Sequence, residues 1–124
     1  MIELTPQQKI FIQDDVPTRL HHLAAYLSQI QSLWTQPSSQ ESILALVKES
    51  RYFIEWIVPD MVEADDIDRA AELVDLVRLL TRWLFKWDNI WSDTEQKQAA
   101  AQQTQDWLRR VLEIASTEPE SLRA

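Results

Sequence analysis

From Thr18 onward, apolar residues recur at alternating steps of three and four: Leu20, Leu23, Leu27, Ile30 and Trp34. Side chains at that spacing share one face of an α-helix, so the run predicts a helix with a single buried seam. Gln36-Pro37-Ser38 ends it. Ser38 with Glu41 has the spacing of a capping box for a second helix, whose seam is Ile43, Val47, Ile54 and Ile57 with Ser50 as a polar interruption. Pro59 is expected to stop that helix, because proline removes a donor and clashes with the preceding turn.

The segment from Pro59 to Asp75 is acidic, with Asp60, Glu63, Asp65, Asp66, Asp68, Glu72 and Asp75 against Arg69. It reads as a connecting loop followed by the first turns of a third helix, where carboxylates oppose the positive end of the helix dipole. That helix is expected to run through Trp91. Ser92-Asp93-Thr94-Glu95 is a short connection with its own capping signature, and Trp107, Leu108, Val111, Leu112 and Ile114 give a fourth helix its apolar face. Upstream, Thr5-Pro6-Gln7-Gln8 is a helix entry with Ile10 and Phe11 to bury, and Asp14-Asp15-Val16-Pro17 either breaks that element or restarts it.

Connections this short force neighbouring helices antiparallel. The expected fold is all-α: an antiparallel up-down-up-down four-helix bundle with a short extra N-terminal helical segment. Residues 1–116 form the single domain of this reading, and 117–124, with Pro119, a flexible tail.

The third helix carries more apolar surface than such a bundle needs. Around its wheel, Asp68, Asp75, Arg78, Arg82, Lys86 and Asn89 fall in one narrow arc, and much of the remainder is apolar. A bundle helix needs a stripe a little over ~100° wide, and this one is roughly twice that on a wheel of about 100° per residue. Either its neighbours wrap it, or one side of it is an association surface. The second possibility singles out Leu76, Leu79, Trp83 and Ile90, with Trp87 as a further anchor and Arg82 at the rim.

Composition narrows the chemistry. The 124 residues contain no glycine and no cysteine. Without glycine, phosphate-cradling loops and dinucleotide fingerprints are excluded. Without cysteine there is no disulfide framework, thiol chemistry or cysteine-ligated zinc. The 20 acidic residues outnumber 12 basic ones, for a net charge of −8, which repels phosphate backbones and argues against nucleic acid as a partner. No apolar run approaches the ~18–20 residues of a membrane span, and Met1-Ile2-Glu3-Leu4-Thr5-Pro6 lacks the pattern of a signal peptide. These features lead to the expectation of a soluble cytoplasmic protein with no membrane partner.

Four constellations could carry chemistry. Asp65, Asp66, Asp68, Glu72 and Asp75 could offer oxygen ligands to Mg²⁺ or Ca²⁺, but only Glu72-x-x-Asp75 of a paired carboxylate motif is present. Helix capping and solubility explain the cluster as well. His21 and His22 are adjacent, so they point about 100° apart on a helix, and neither has a glutamate three residues before it. Arg78, Arg82 and Lys86 form a basic stripe offset by Asp75, as on many solvated helix faces. The six tryptophans, Trp34, Trp56, Trp83, Trp87, Trp91 and Trp107, fall mostly at core spacing, and the net charge has the wrong sign for a base-stacking groove.

Glu49-Ser50-Arg51-Tyr52-Phe53-Ile54-Glu55-Trp56, Ala70-Ala71-Glu72-Leu73-Val74, the segment from Trp83 to Trp91, and Trp107-Leu108-Arg109-Arg110-Val111-Leu112 resemble stretches of a family of small uncharacterised cyanobacterial all-helical proteins. The resemblance spans roughly Arg19 to Ser116 and implies a cyanobacterial cytoplasmic setting. It implies no activity, cofactor or site residue.

The expectation is therefore a non-enzymatic helical interaction module, an adaptor or regulatory subunit, with no cofactor. It would act through Leu76, Leu79, Arg82, Trp83, Trp87 and Ile90, its partner another protein or a second copy in a homodimer. The alternative is a small metal-dependent hydrolase built on Asp65, Asp68, Glu72 and Asp75.

Overall fold

The computed structural model describes residues 14–116, and all regular structure among them is helical: α1 (Val16–Leu33), α2 (Gln40–Glu63), α3 (Ile67–Phe85), α4 (Trp87–Ser92) and α5 (Thr94–Ser116). The N-terminal element expected around Thr5 to Phe11 and the expected tail at 117–124 lie outside the described residues.

Asp15 opens α1, its Oδ1 accepting from the Thr18 amide at 2.8 Å, with Pro17 in the first turn. Hydrogen bonds from Thr18, side chain first and then backbone, hold the Asp15 carboxyl below its ordinary range. The segment from Asp14 to Pro17 thus starts a helix. The whole seam from Leu20 to Trp34 is buried.

Beside that seam Arg19 is also buried, which its sequence context gave no reason to expect. Its Nη1 donates to the Trp56 carbonyl at 2.9 Å and its Nη2 to Asp60 Oδ2 at 2.6 Å. These contacts clamp the start of α1 to the end of α2 and make the two helices antiparallel.

Three expectations are corrected along α2 and α3. The cap of α2 is Ser39 and the Ser38–Glu41 box does not form; the Ser39 hydroxyl instead lies 2.6 Å from both the Leu33 and the Gln36 carbonyl, its one proton shared between them, tying the loop to the end of α1. Pro59 lies inside α2, which continues to Glu63. The extra turn is held by Met61, fully buried, and by Arg19, which bonds the Trp56 carbonyl next to the Glu55 carbonyl that Pro59 deprives of a donor.

The α2–α3 connection is consequently much shorter than the acidic run suggested. Asp65 takes the left-handed conformation (φ 63°), Asp66 N–H bonds the Met61 carbonyl at 2.8 Å and Asp65 N–H that of Val62 at 3.0 Å. This is the Schellman arrangement that glycine usually completes. With no glycine in the chain, aspartate fills the position.

The third correction is that the expected third helix does not run through to Trp91. It breaks at Lys86 (φ −106°, ψ 18°), and α4 begins at Trp87. The break lets Trp87 and Trp91 join Trp83 around the Trp34 ring, while α4 packs on α5. Asp93 alone separates α4 from α5, its Oδ1 accepting from Glu95 N–H at 2.9 Å.

α1 packs against both α2 and α5, and α2 against α3. Arg69 Nη2 donates to the Ile114 carbonyl, and Glu72 pairs with Arg110 at 3.2 Å, so the start of α3 meets the end of α5. One core cluster draws on all five helices. Ser50 and Thr104 sit inside it satisfied, their hydroxyls donating to Leu46 and Ala100 carbonyls at 2.7 Å.

Candidate functional site

The residues singled out on the third helix divide sharply. Leu76, Trp83, Trp87 and Ile90 are buried against the chain's own core, Trp83 at 3% exposure and Trp87 at 6%. They cannot offer a surface while packed this way. Trp34 is the reason: its ring lies 5.5 Å from Trp83, edge-on, and 5.6 Å from Trp87, and its Nε1 donates to the buried Thr104 hydroxyl at 3.0 Å. Leu79 is half-buried and Arg82 is exposed. The side of the wide apolar arc that contains these four is therefore closed from within.

The acidic set is dispersed. Asp66 is buried beside Arg69, 3.2 Å away, Glu72 pairs with Arg110, and Asp75 pairs with Arg78 at 3.6 Å. Burial raises the Asp66 carboxyl above its ordinary value, against the pull of Arg69. Among the described residues, no group of three or more His, Asp or Glu side chains is placed to hold a metal ion. His21 and His22 are both exposed, with His22 Nε2 3.5 Å from Asp14. Of the remaining tryptophans, Trp107 is buried under Arg110, Trp91 is half-buried, stacked on Trp87 under Lys97, and Trp56 is half-buried, stacked on Tyr52.

What remains outward on α3 is a different line of apolar residues. Ile67 is 55% exposed, Val74 38% and Phe85 86%. With Ala71, Arg78 and Thr81 they recur at steps of four, three, four, three and four, the spacing of a coiled-coil seam. The line lies on the side of α3 opposite Leu73, Leu76, Leu80 and Trp83, and at ~1.5 Å per residue it is about 27 Å long. Half-buried Val77 and Leu84 border it on one flank, and exposed Asp68, Asp75 and Arg82 on the other.

At its end, Phe85 and Leu84 border an open groove of about 430 Å³ that reaches across to Leu44 and Lys48 of α2. The signal for this seam was in the sequence. Its apolar members sit on the margin of the polar arc, where Arg78 and Arg82 mask the regular spacing.

No helix among the described residues is long and apolar enough to cross a membrane. Comparison with protein-family models, with curated proteins and with solved structures gave no match for this chain.

Proposed function

We propose that the chain is a non-enzymatic helical interaction module that binds a protein partner through the outer seam of α3. The observation that carries this reading is the heptad spacing of Ile67, Ala71, Val74 and Phe85, with Arg78 and Thr81 at the two intervening positions, on a face the chain's own core does not use. Single exposed apolar side chains need no explanation, but a line of them in coiled-coil register does. The four long helices, α1, α2, α3 and α5, wound as an up-down-up-down bundle, would form the scaffold that presents it. The proposed setting is the cytoplasm of a cyanobacterium, as the resemblance implies. The dispersal of Asp65, Asp68, Glu72 and Asp75 gives the hydrolase alternative no support.

The test places a photo-crosslinking amino acid at Phe85, at Val74 and, as a control on another exposed helix position, at Asp106. Irradiation in the native host is expected to give discrete protein adducts from positions 85 and 74 and none from 106. Adducts from none of the three, or equally from all, would refute the reading.

A further inference from the structure

We infer that the occupant of the seam is a second copy of the same chain, its α3 crossing the first antiparallel about a twofold axis near Leu76. This rests on the reading of the seam as an association surface, and three features of α3 converge on that centre.

The seam is matched about Leu76. Ile67 and Phe85 lie nine residues either side of it, Ala71 and Thr81 five, and Val74 and Arg78 two. Antiparallel pairing therefore sets Ile67 of one copy on Phe85 of the other. It opposes small Ala71 to Thr81 and lays the aliphatic stem of Arg78 over Val74.

The charges are arranged about nearly the same centre, Asp68 and Arg82 being symmetric about residue 75 and Asp75 and Arg78 about a point between residues 76 and 77. In a twofold antiparallel pair, each flank of a helix faces the same flank of its twin. The charged flank carries Asp68 and Asp75 in the first half of α3 and Arg82 in the second, with the guanidinium of Arg78 reaching out from the seam beside it. Pairing brings Asp68 within two residues of the position facing Arg82 and Asp75 within one of that facing Arg78, about 3 Å or less along the axis, twice over. A parallel pair would instead set the charged flank against the uncharged flank of Val77 and Leu84, and leave the acidic and basic residues without opposite partners.

The helix dipole explains acidic first turns and basic last turns, but its effect fades within a turn of each end. Asp75 and Arg78 sit mid-helix, 3.6 Å apart with both side chains exposed. Glu72 and Arg69 are already engaged with Arg110 and Asp66.

The other flank, with Val77 and Leu84 half-buried, is uncharged. Val77 meets its own twin beside the axis there. A seam of one helix's length is at the small end of specific interfaces, so the pair is expected to dissociate on dilution.

Because the chain has no cysteine, the register can be read by disulfide trapping. An equimolar mixture of Ala71→Cys and Thr81→Cys, oxidised at high protein concentration, is expected to link at least tenfold more than either variant alone, since a disulfide needs Cβ atoms about 4 Å apart. Self-linking of either variant as strong as that of the mixture would overturn the antiparallel register, and no linking at all would overturn the pair. Should a cysteine variant lose its helical signal, a charge test decides. Asp68→Arg with Asp75→Arg, and Arg78→Asp with Arg82→Asp, are each expected to be monomeric alone and to pair when mixed; failure to pair when mixed would overturn the inference. Photo-adducts at Phe85 that are all heavier than two chains of 14.6 kDa would overturn the twin and leave the association reading standing.

Discussion

Replacing Trp83 with alanine separates core from surface on α3 most sharply. The indole is 3% exposed and stands edge-on to Trp34 at a centroid distance of 5.5 Å. Its removal opens a large cavity beside Trp34, Leu76 and Leu80, which are themselves fully buried. Truncations of this kind cost about 3–5 kcal/mol, of which the edge-on ring pair accounts for roughly 0.5–1.5. A small domain has only about 5–15 kcal/mol in all. The urea midpoint, followed by circular dichroism at 222 nm so that loss of a fluorophore does not matter, is expected to fall by more than about 1 M. Phe85→Ala, at a residue 86% exposed, is the matched control and is expected to change stability by less than about 0.5 kcal/mol. If Trp83→Ala left the midpoint unmoved while Phe85→Ala lowered it, the assignment of inner and outer faces would be wrong.

Three further outcomes follow from particular contacts. Thr104→Val keeps the side-chain volume but leaves the Trp34 Nε1–H, now bonded at 3.0 Å, buried without an acceptor; equilibrium unfolding is expected to show a loss of about 1–3 kcal/mol, and Trp34→Phe made in that background should cost less than in the wild type. Asp65→Gly relieves a left-handed residue at φ 63°; after the entropy cost of glycine, thermal unfolding should show a gain of about 0.5–1 kcal/mol, and a loss would contradict the turn geometry. Burial lifts the Asp66 carboxyl above its ordinary value of 3.8, outweighing Arg69, so between the unfolded and folded pKa values the native state holds more protons than the unfolded chain. Its contribution to stability is therefore greatest below 3.8 and falls as pH rises through the folded value; wild type should lose ground to Asp66→Asn over that window, and a constant difference in melting temperature would refute it.

The seams of α1 and α2 could be read from sequence because apolar periodicity is local, and every residue named in them is buried. Other features depend on partners distant in the chain. Arg19 is buried because Trp56 and Asp60 arrive beside it, and Pro59 is tolerated within α2 because Arg19 and buried Met61 hold the following turn. Neither can be seen from a local window. Ser38 is favoured in sequence by Glu41 three residues on, but the cap falls to Ser39, whose hydroxyl reaches the end of α1.

The excess apolar arc of the third helix was legible, but not the way it divides. Trp34, buried at the end of α1, recruits Trp83, Trp87 and Trp91 and bends the chain at Lys86. What this leaves outside is the smaller line from Ile67 to Phe85, whose heptad spacing runs along the edge of the polar arc.

That association runs through this outer seam and not through the tryptophans is tested most directly by the absolute mass in solution, measured by light scattering after size exclusion over a concentration series. Wild type is expected to rise from 14.6 kDa toward twice that mass as concentration increases, while Val74→Lys stays at the monomer mass with its helical signal unchanged. A mass of 14.6 kDa for both proteins at every concentration would overturn the pairing of two copies, and an equal rise in both would contradict the assignment of association to the outer seam.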